Sequence, residues 1–177
     1  MLALTQAMAE DQDPQRDPSR ISRREFIKIG SATTLASGLA PAMAAAPAKA
    51  AYPVVNVAEL SAIKTDTPIA FTYPDENSPA VLLRMKQGAT GGVGPGNSIV
   101  AFSTLCTHKG CPVSYRAERK LFICPCHWSS FDPAKAGQMV IGQGSQALPQ
   151  IALRVQGGTV QAVGIDGLIY GRHTNIL

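Results

Sequence analysis

The sequence predicts a small antiparallel all-β domain, and three observations carry that prediction. Sixteen glycines and thirteen prolines interrupt the 177-residue chain too often for long helices. No segment sustains an apolar period of 3.6 residues. Short apolar runs alternate instead with stretches dense in turn formers.

In chain order, residues 1–50 read as a leader that precedes the domain, which occupies 51–177. Residues 1–20 are polar and lean acidic, and the string Ser22-Arg23-Arg24-Glu25-Phe26-Ile27-Lys28 follows. Residues 29–48 carry no charge and include eight alanines, with Pro41 interrupting the run. An arginine pair, a weakly apolar stretch and small residues at its end form the layout of an export signal. The string resembles a twin-arginine signal built on Arg23 and Arg24, an address for exporting proteins already folded around a cofactor. That address implies the periplasm. The uncharged run is long enough to cross a bilayer if helical but poor in large apolar residues, so a retained anchor or peripheral membrane association is the second reading.

Residues 53–57 are a short β-type run. Residues 68–73 and 80–85 are strand-like and flank Pro74-Asp75-Glu76-Asn77-Ser78-Pro79, a turn-forming segment. Residues 87–97 hold five glycines and one proline and read as a loop, with no Gly-Lys-Ser/Thr after it to cradle a phosphate. Residues 98–103 form a strand that enters the cysteine region, and 121–124 another. Residues 151–156 and 159–163 are joined by Gly157-Gly158, the pair a type I′ hairpin turn demands.

All four cysteines and all three histidines of the chain lie in residues 51–177, where ten Lys/Arg against seven Asp/Glu leave a net charge of +3. No basic stripe is interleaved with aromatics, so nucleic acid is not an expected partner. No Ser/His/Asp arrangement or paired carboxylate set is evident, and the chain is too short for a two-domain enzyme with its own substrate cleft. The chemistry gathers at Cys106-Thr107-His108-Lys109-Gly110-Cys111 and, twelve residues on, at Cys124-Pro125-Cys126-His127. Four of these groups suffice for one tetrahedral zinc, but the arms are unequal and two cysteines are left over. An even cysteine count in an exported domain also permits a purely disulfide reading. A third arrangement uses all six groups: two irons, two thiolates, two imidazoles, bridging sulfides and one disulfide.

That third arrangement is where a resemblance enters. The strings CTHKGC and CPCHWSSFD resemble the two cluster-binding loops of Rieske proteins, small β domains that hold one [2Fe-2S] cluster. Position by position, the resemblance implies Cys106 and Cys124 as thiolate ligands and His108 and His127 as imidazole ligands. It implies a Cys111–Cys126 disulfide clasping the loops. Ser129 matches a hydroxyl that hydrogen-bonds a bridging sulfide in high-potential members. Phe131 stands where a tyrosine donates to a ligand thiolate, and Trp128 replaces a common glycine. One donor kept and one lost imply an intermediate potential. Neutral imidazoles in place of two thiolates lower the negative charge around the cluster, lifting the potential from roughly −400 mV to roughly −150 to +300 mV. Electron uptake then couples to proton uptake at His108 or His127, so the potential is expected to fall as pH rises through the alkaline range.

Over the last third, strings such as LPQIALR and AVGIDGLIYGR resemble the small subunit of arsenite oxidase. That resemblance implies an electron relay with no catalytic residue of its own. Its partners would be a large molybdopterin subunit with a [3Fe-4S] cluster and a periplasmic cytochrome c or azurin. Two alternatives remain: a Rieske subunit of a quinol-oxidising bc-type complex, and a free Rieske ferredoxin. Lys109, Arg116, Arg119 and Lys120 flank the cluster loops as a solvated hairpin or a docking surface. His173 lies in the tail as a solvent or interface residue.

Overall fold

The computed structural model describes residues 51–176. The leader, with Arg23 and Arg24, lies outside the described residues. Ten strands follow in chain order. The first four are β1 Val55–Glu59, β2 Ile69–Thr72, β3 Pro79–Arg84 and β4 Ile99–Ser103. Then come β5 Ser114–Arg116, β6 Leu121–Ile123, β7 Ser130–Asp132 and β8 Gln138–Ile141, and finally β9 Gln150–Gln156 and β10 Thr159–Asp166. Three short 3₁₀ turns are the only helical elements among the described residues. The strands form two antiparallel sheets, one in the order β1-β10-β9-β4-β3-β2 and one in the order β5-β6-β7-β8.

The two-residue period of β3 and β4 explains how one sheet serves two cores. Val81, Leu83, Val100 and Phe102 point into one cluster with Phe122, Phe131, Leu148 and the thiols Cys106 and Cys124. Ala80, Leu82, Ile99 and Ala101 point into the other, with Tyr73, Ile151, Leu153, Val160 and Ala162. All five residues of β4 are buried, as expected of a strand covered on both faces. The first core thus seats the small sheet on the large one, so the segments joining the small sheet's strands start from a fixed platform.

The stronger runs of the sequence form strands within three residues of their expected bounds. β1 starts two residues later than its apolar run and ends at Glu59, and β10 continues to Asp166 through a register shift between Ala162 and Gly164. Gly157 and Gly158 take φ of 58° and 85°, the left-handed pair that closes the β9–β10 hairpin. β5, β7 and β8 have no counterpart in the sequence reading. They are three or four residues long, and pairing with β6 rather than apolar patterning creates them.

Candidate metal centre

Two loops leave the sheets and meet. The first, 106–111, follows β4 and leads to β5; the second, 124–128, joins β6 to β7. They close by the same rule. The Cys106 N–H donates to the Cys111 carbonyl at 2.9 Å, and the Gly110 N–H donates to the Cys106 carbonyl at 2.8 Å. In the second loop the Cys124 N–H donates to the Ser129 carbonyl at 2.9 Å, and the Trp128 N–H donates to the Cys124 carbonyl at 3.0 Å. The fifth residue of each turn is left-handed, with φ of 71° at Gly110 and 60° at Trp128.

Cys106 and Cys124 are free and buried at the roots of these turns. Burial pushes the Cys106 thiol above its ordinary value; the backbone N–H groups of His108 and Lys109, directed at its sulfur, pull it down, while the neighbouring Cys124 thiol raises it. Cys111 and Cys126 are bonded to each other across the loops, 6.6 Å apart at Cα. The Cys124 sulfur lies within 4.8 Å of both. His108 and His127 come together with ring centroids 4.7 Å apart at 78°. His127 is exposed and His108 half-buried. Among the described residues, His108 Nδ1 is the one buried side-chain nitrogen or oxygen with no hydrogen-bond partner. Such an atom is costly unless it has a further partner. Two buried thiols and two converging imidazoles, one with an unsatisfied buried nitrogen, fit a mixed sulfur and nitrogen metal centre.

The surroundings extend beyond what the sequence offered. Ser129 is fully buried, and its hydroxyl oxygen accepts from the Gln143 N–H at 3.0 Å, which leaves its own proton free to donate. Gly142 is required there: a Cβ at that position would lie 2.3 Å from Ser129 Cα. Phe131 is fully buried and brings no polar group. A third segment, 142–147, is laced to the first loop. Thr107 Oγ1 donates to the Gln146 carbonyl at 2.8 Å, and Ser145 Oγ donates to the Thr107 carbonyl at 2.9 Å. The C-terminal tail is the fourth part, with Tyr170 packed on Gly110. Both were invisible as site elements because their roles rest on contacts distant in sequence.

The basic residues separate. Lys120 is held by Asp66 at 2.6 Å, while Lys109, Arg116 and Arg119 are exposed and make no ion pair among the described residues. His173 is exposed on the tail, away from the cysteine loops in sequence. A depression of about 390 Å³ lies against the glycine loop, lined by residues such as Arg84, Lys86 and Gly96, and none of the cysteine-loop residues contributes to it.

Comparison with known proteins decides the family. The Rieske [2Fe-2S] domain matches residues 51–152. This chain belongs to the Rieske [2Fe-2S] family. It is 42% identical over 170 residues to the iodate reductase subunit IdrB of Denitromonas iodatirespirans, covering 92% of both chains. To the IdrB subunit of Pseudomonas sp. (strain SCT) it is 37% identical over 172 residues, covering 92% of this chain and 88% of that one. In three dimensions it resembles the soluble domain of Rieske protein II from Sulfolobus acidocaldarius, with a TM-score of 0.59 and 23% identity over 69% of this chain and 82% of that one. The Rieske fold and its single [2Fe-2S] cluster therefore hold for this chain, and the zinc and all-disulfide readings fall. The relatives that match nearly end to end are subunits of an iodate reductase, so the family assignment does not extend to arsenite oxidase in particular.

Proposed function

We propose that this chain is the electron-transfer subunit of a two-subunit molybdopterin oxidoreductase acting on an oxyanion, with iodate as the substrate class of first choice. The cluster is held by Cys106 and Cys124 through sulfur and by His108 and His127 through nitrogen. The observation that carries the ligand assignment is the buried, unpartnered His108 Nδ1 beside a second imidazole and two free thiols. When bound, the cluster supplies a one-electron couple at raised potential.

The chain's own residues do the rest. The amides of His108 and Lys109 and the free proton of Ser129 place positive dipoles where added charge would fall, which raises the potential. Phe131 adds none, so the potential lies below that of members with two hydroxyl donors. The Cys111–Cys126 bond fixes the loops together, and exposed His127 offers the edge at which electrons enter or leave.

Near end-to-end similarity to two iodate reductase subunits supports the iodate reading. The strings of residues 148–154 and 162–172 favour arsenite oxidase as the second reading, in which electrons run outward to a cytochrome c or azurin. In both readings a large molybdopterin subunit is the permanent partner. Export by the twin-arginine route to the periplasm fits Arg23, Arg24 and an inter-loop disulfide, a bond that persists in oxidising compartments.

The test is redox titration of the co-purified complex by EPR. Iodate added to the reduced complex should erase the cluster signal, with arsenite unable to generate it from the oxidised complex. The reverse pattern establishes the second reading, and a cluster-bearing chain that purifies without a large subunit removes both.

A further inference from the structure

The left-handed turn position of the second loop is occupied by a tryptophan. A non-glycine residue there costs about 1–2 kcal/mol of backbone strain. Trp128 returns little of this by packing, because it is 70% exposed. Its indole forms one wall of a pocket of about 200 Å³, completed by Arg116, Glu118, Arg119, Ile123 and Pro125. Ile123 is the buried apolar member of the lining, only 7% exposed. Two cations and one anion line it, and neither Arg116 nor Arg119 is neutralised by an ion pair among the described residues. Pro125 stands between Cys124 and Cys126, and Trp128 follows His127 directly. The pocket is therefore built on the loop that carries the exposed imidazole.

We propose that this pocket docks a carboxylate side chain from the acidic face of a soluble redox partner, with Arg116 and Arg119 gripping the carboxylate and Trp128 covering the apolar rim around it. The inference rests on the electron-relay reading and names the partner chemistry of its outward face. Charge complementarity argues for this occupant: guanidinium groups match a carboxylate with paired hydrogen bonds, and an exposed indole gains by losing contact with water when a protein surface closes on it. A docked partner would lie against His127, where its own redox centre has the shortest approach. Glu118 opposes any anion entering the pocket, which keeps such a contact weak and readily released, as a carrier that must leave requires.

The experiment is stopped-flow electron transfer between the cluster-loaded complex and two probes, an acidic c-type cytochrome and a basic cytochrome c of mitochondrial type. The acidic probe should react faster at low ionic strength and slow about tenfold as salt rises to about 0.2 M, since screening acts over about 8–10 Å. Arg116→Glu with Arg119→Glu should lower its low-salt rate about tenfold and flatten the salt dependence. Glu118→Gln should raise that rate, a gain that misfolding cannot imitate. EPR spectrum, potential and turnover with a small redox dye in place of the protein partner should stay at parental values in all variants, which separates this proposal from the cluster assignment. Unchanged acidic-probe rates after charge reversal in protein with an intact EPR signal, or a basic probe that reacts faster at low salt, would overturn it.

Discussion

The two cysteine loops share a backbone and differ in what covers it. Each starts at a buried free cysteine, closes through the same two hydrogen bonds, and passes through a left-handed residue four positions on. In the first loop that residue is Gly110, and a Cβ there would lie 2.6 Å from the Tyr170 ring. In the second it is Trp128, open to solvent. Glycine is thus imposed on the first loop twice, by φ and by the tail packed over it. The second loop has only the φ constraint, and a tryptophan accepts the strain. One loop is sealed from within the chain and the other is left for a partner. The tail that seals the first is itself pinned. Arg172 grips Asp75 through both guanidinium nitrogens at 2.7 and 2.8 Å, and buried Asn175 bonds the Ile169 N–H and the Gly167 carbonyl.

The sharpest way to break this comparison is to remove what the loops have in common. Cys124→Ser should abolish cluster binding, and iron and acid-labile sulfide should both fall to background. Next, Gly110→Ala should destabilise by roughly 2–3 kcal/mol through clash and strain together, visible as a lower Tm. Adding Tyr170→Ala should recover the clash portion and leave the strain. If Gly110→Ala is harmless, the tail does not seal the first loop.

The clamp on the tail should show in pH. Arg172 holds the Asp75 carboxyl below its ordinary value, near 3.8. A carboxyl lowered in the folded state contributes stability that is complete above that ordinary value and is lost as pH falls through the folded one. Arg172→Ala should cost about 1–2 kcal/mol near neutrality, and its Tm should approach the parent's only as pH drops below about 4, through the lowered value of the folded carboxyl. A gap that does not narrow would remove the ion pair from the account. Trp128→Gly should do the opposite of Gly110→Ala, raising stability by up to about 1 kcal/mol with the EPR signal unchanged. The smallest effect is Phe131→Tyr, which should shift the potential upward in voltammetry by restoring a donor; no shift would place residue 131 out of reach of the cluster.

How much of this was legible in the sequence follows the range of the interactions. Strands whose side chains alternate between two buried faces, such as β3 and β4, announce themselves through composition. So does the Gly157-Gly158 turn, because positive φ restricts residue choice locally. The cysteine and histidine pattern was legible because metal chemistry limits which side chains serve as donors. β5 has only Ser114, Tyr115 and Arg116, and nothing local marks it as a strand. Its place is set from afar: the Tyr115 hydroxyl donates to Asp66 at 2.9 Å and Lys120 binds the same carboxylate, 49 and 54 residues away in the chain. The covers of the first loop, from residues 142–147 and from Tyr170, are equally long-range. Glycine at 110 hinted at a turn, yet only the packed ring explains why no larger residue fits.

The central claim is that two irons sit between these loops in unlike surroundings, sulfur donors on one and nitrogen donors on the other. Mössbauer spectroscopy of the ⁵⁷Fe-loaded, reduced protein tests it most directly. The account predicts two quadrupole doublets of equal area, with the ferrous one assigned to the imidazole-bound iron and altered by His127→Cys. A single iron environment, or one metal ion per chain, would contradict it.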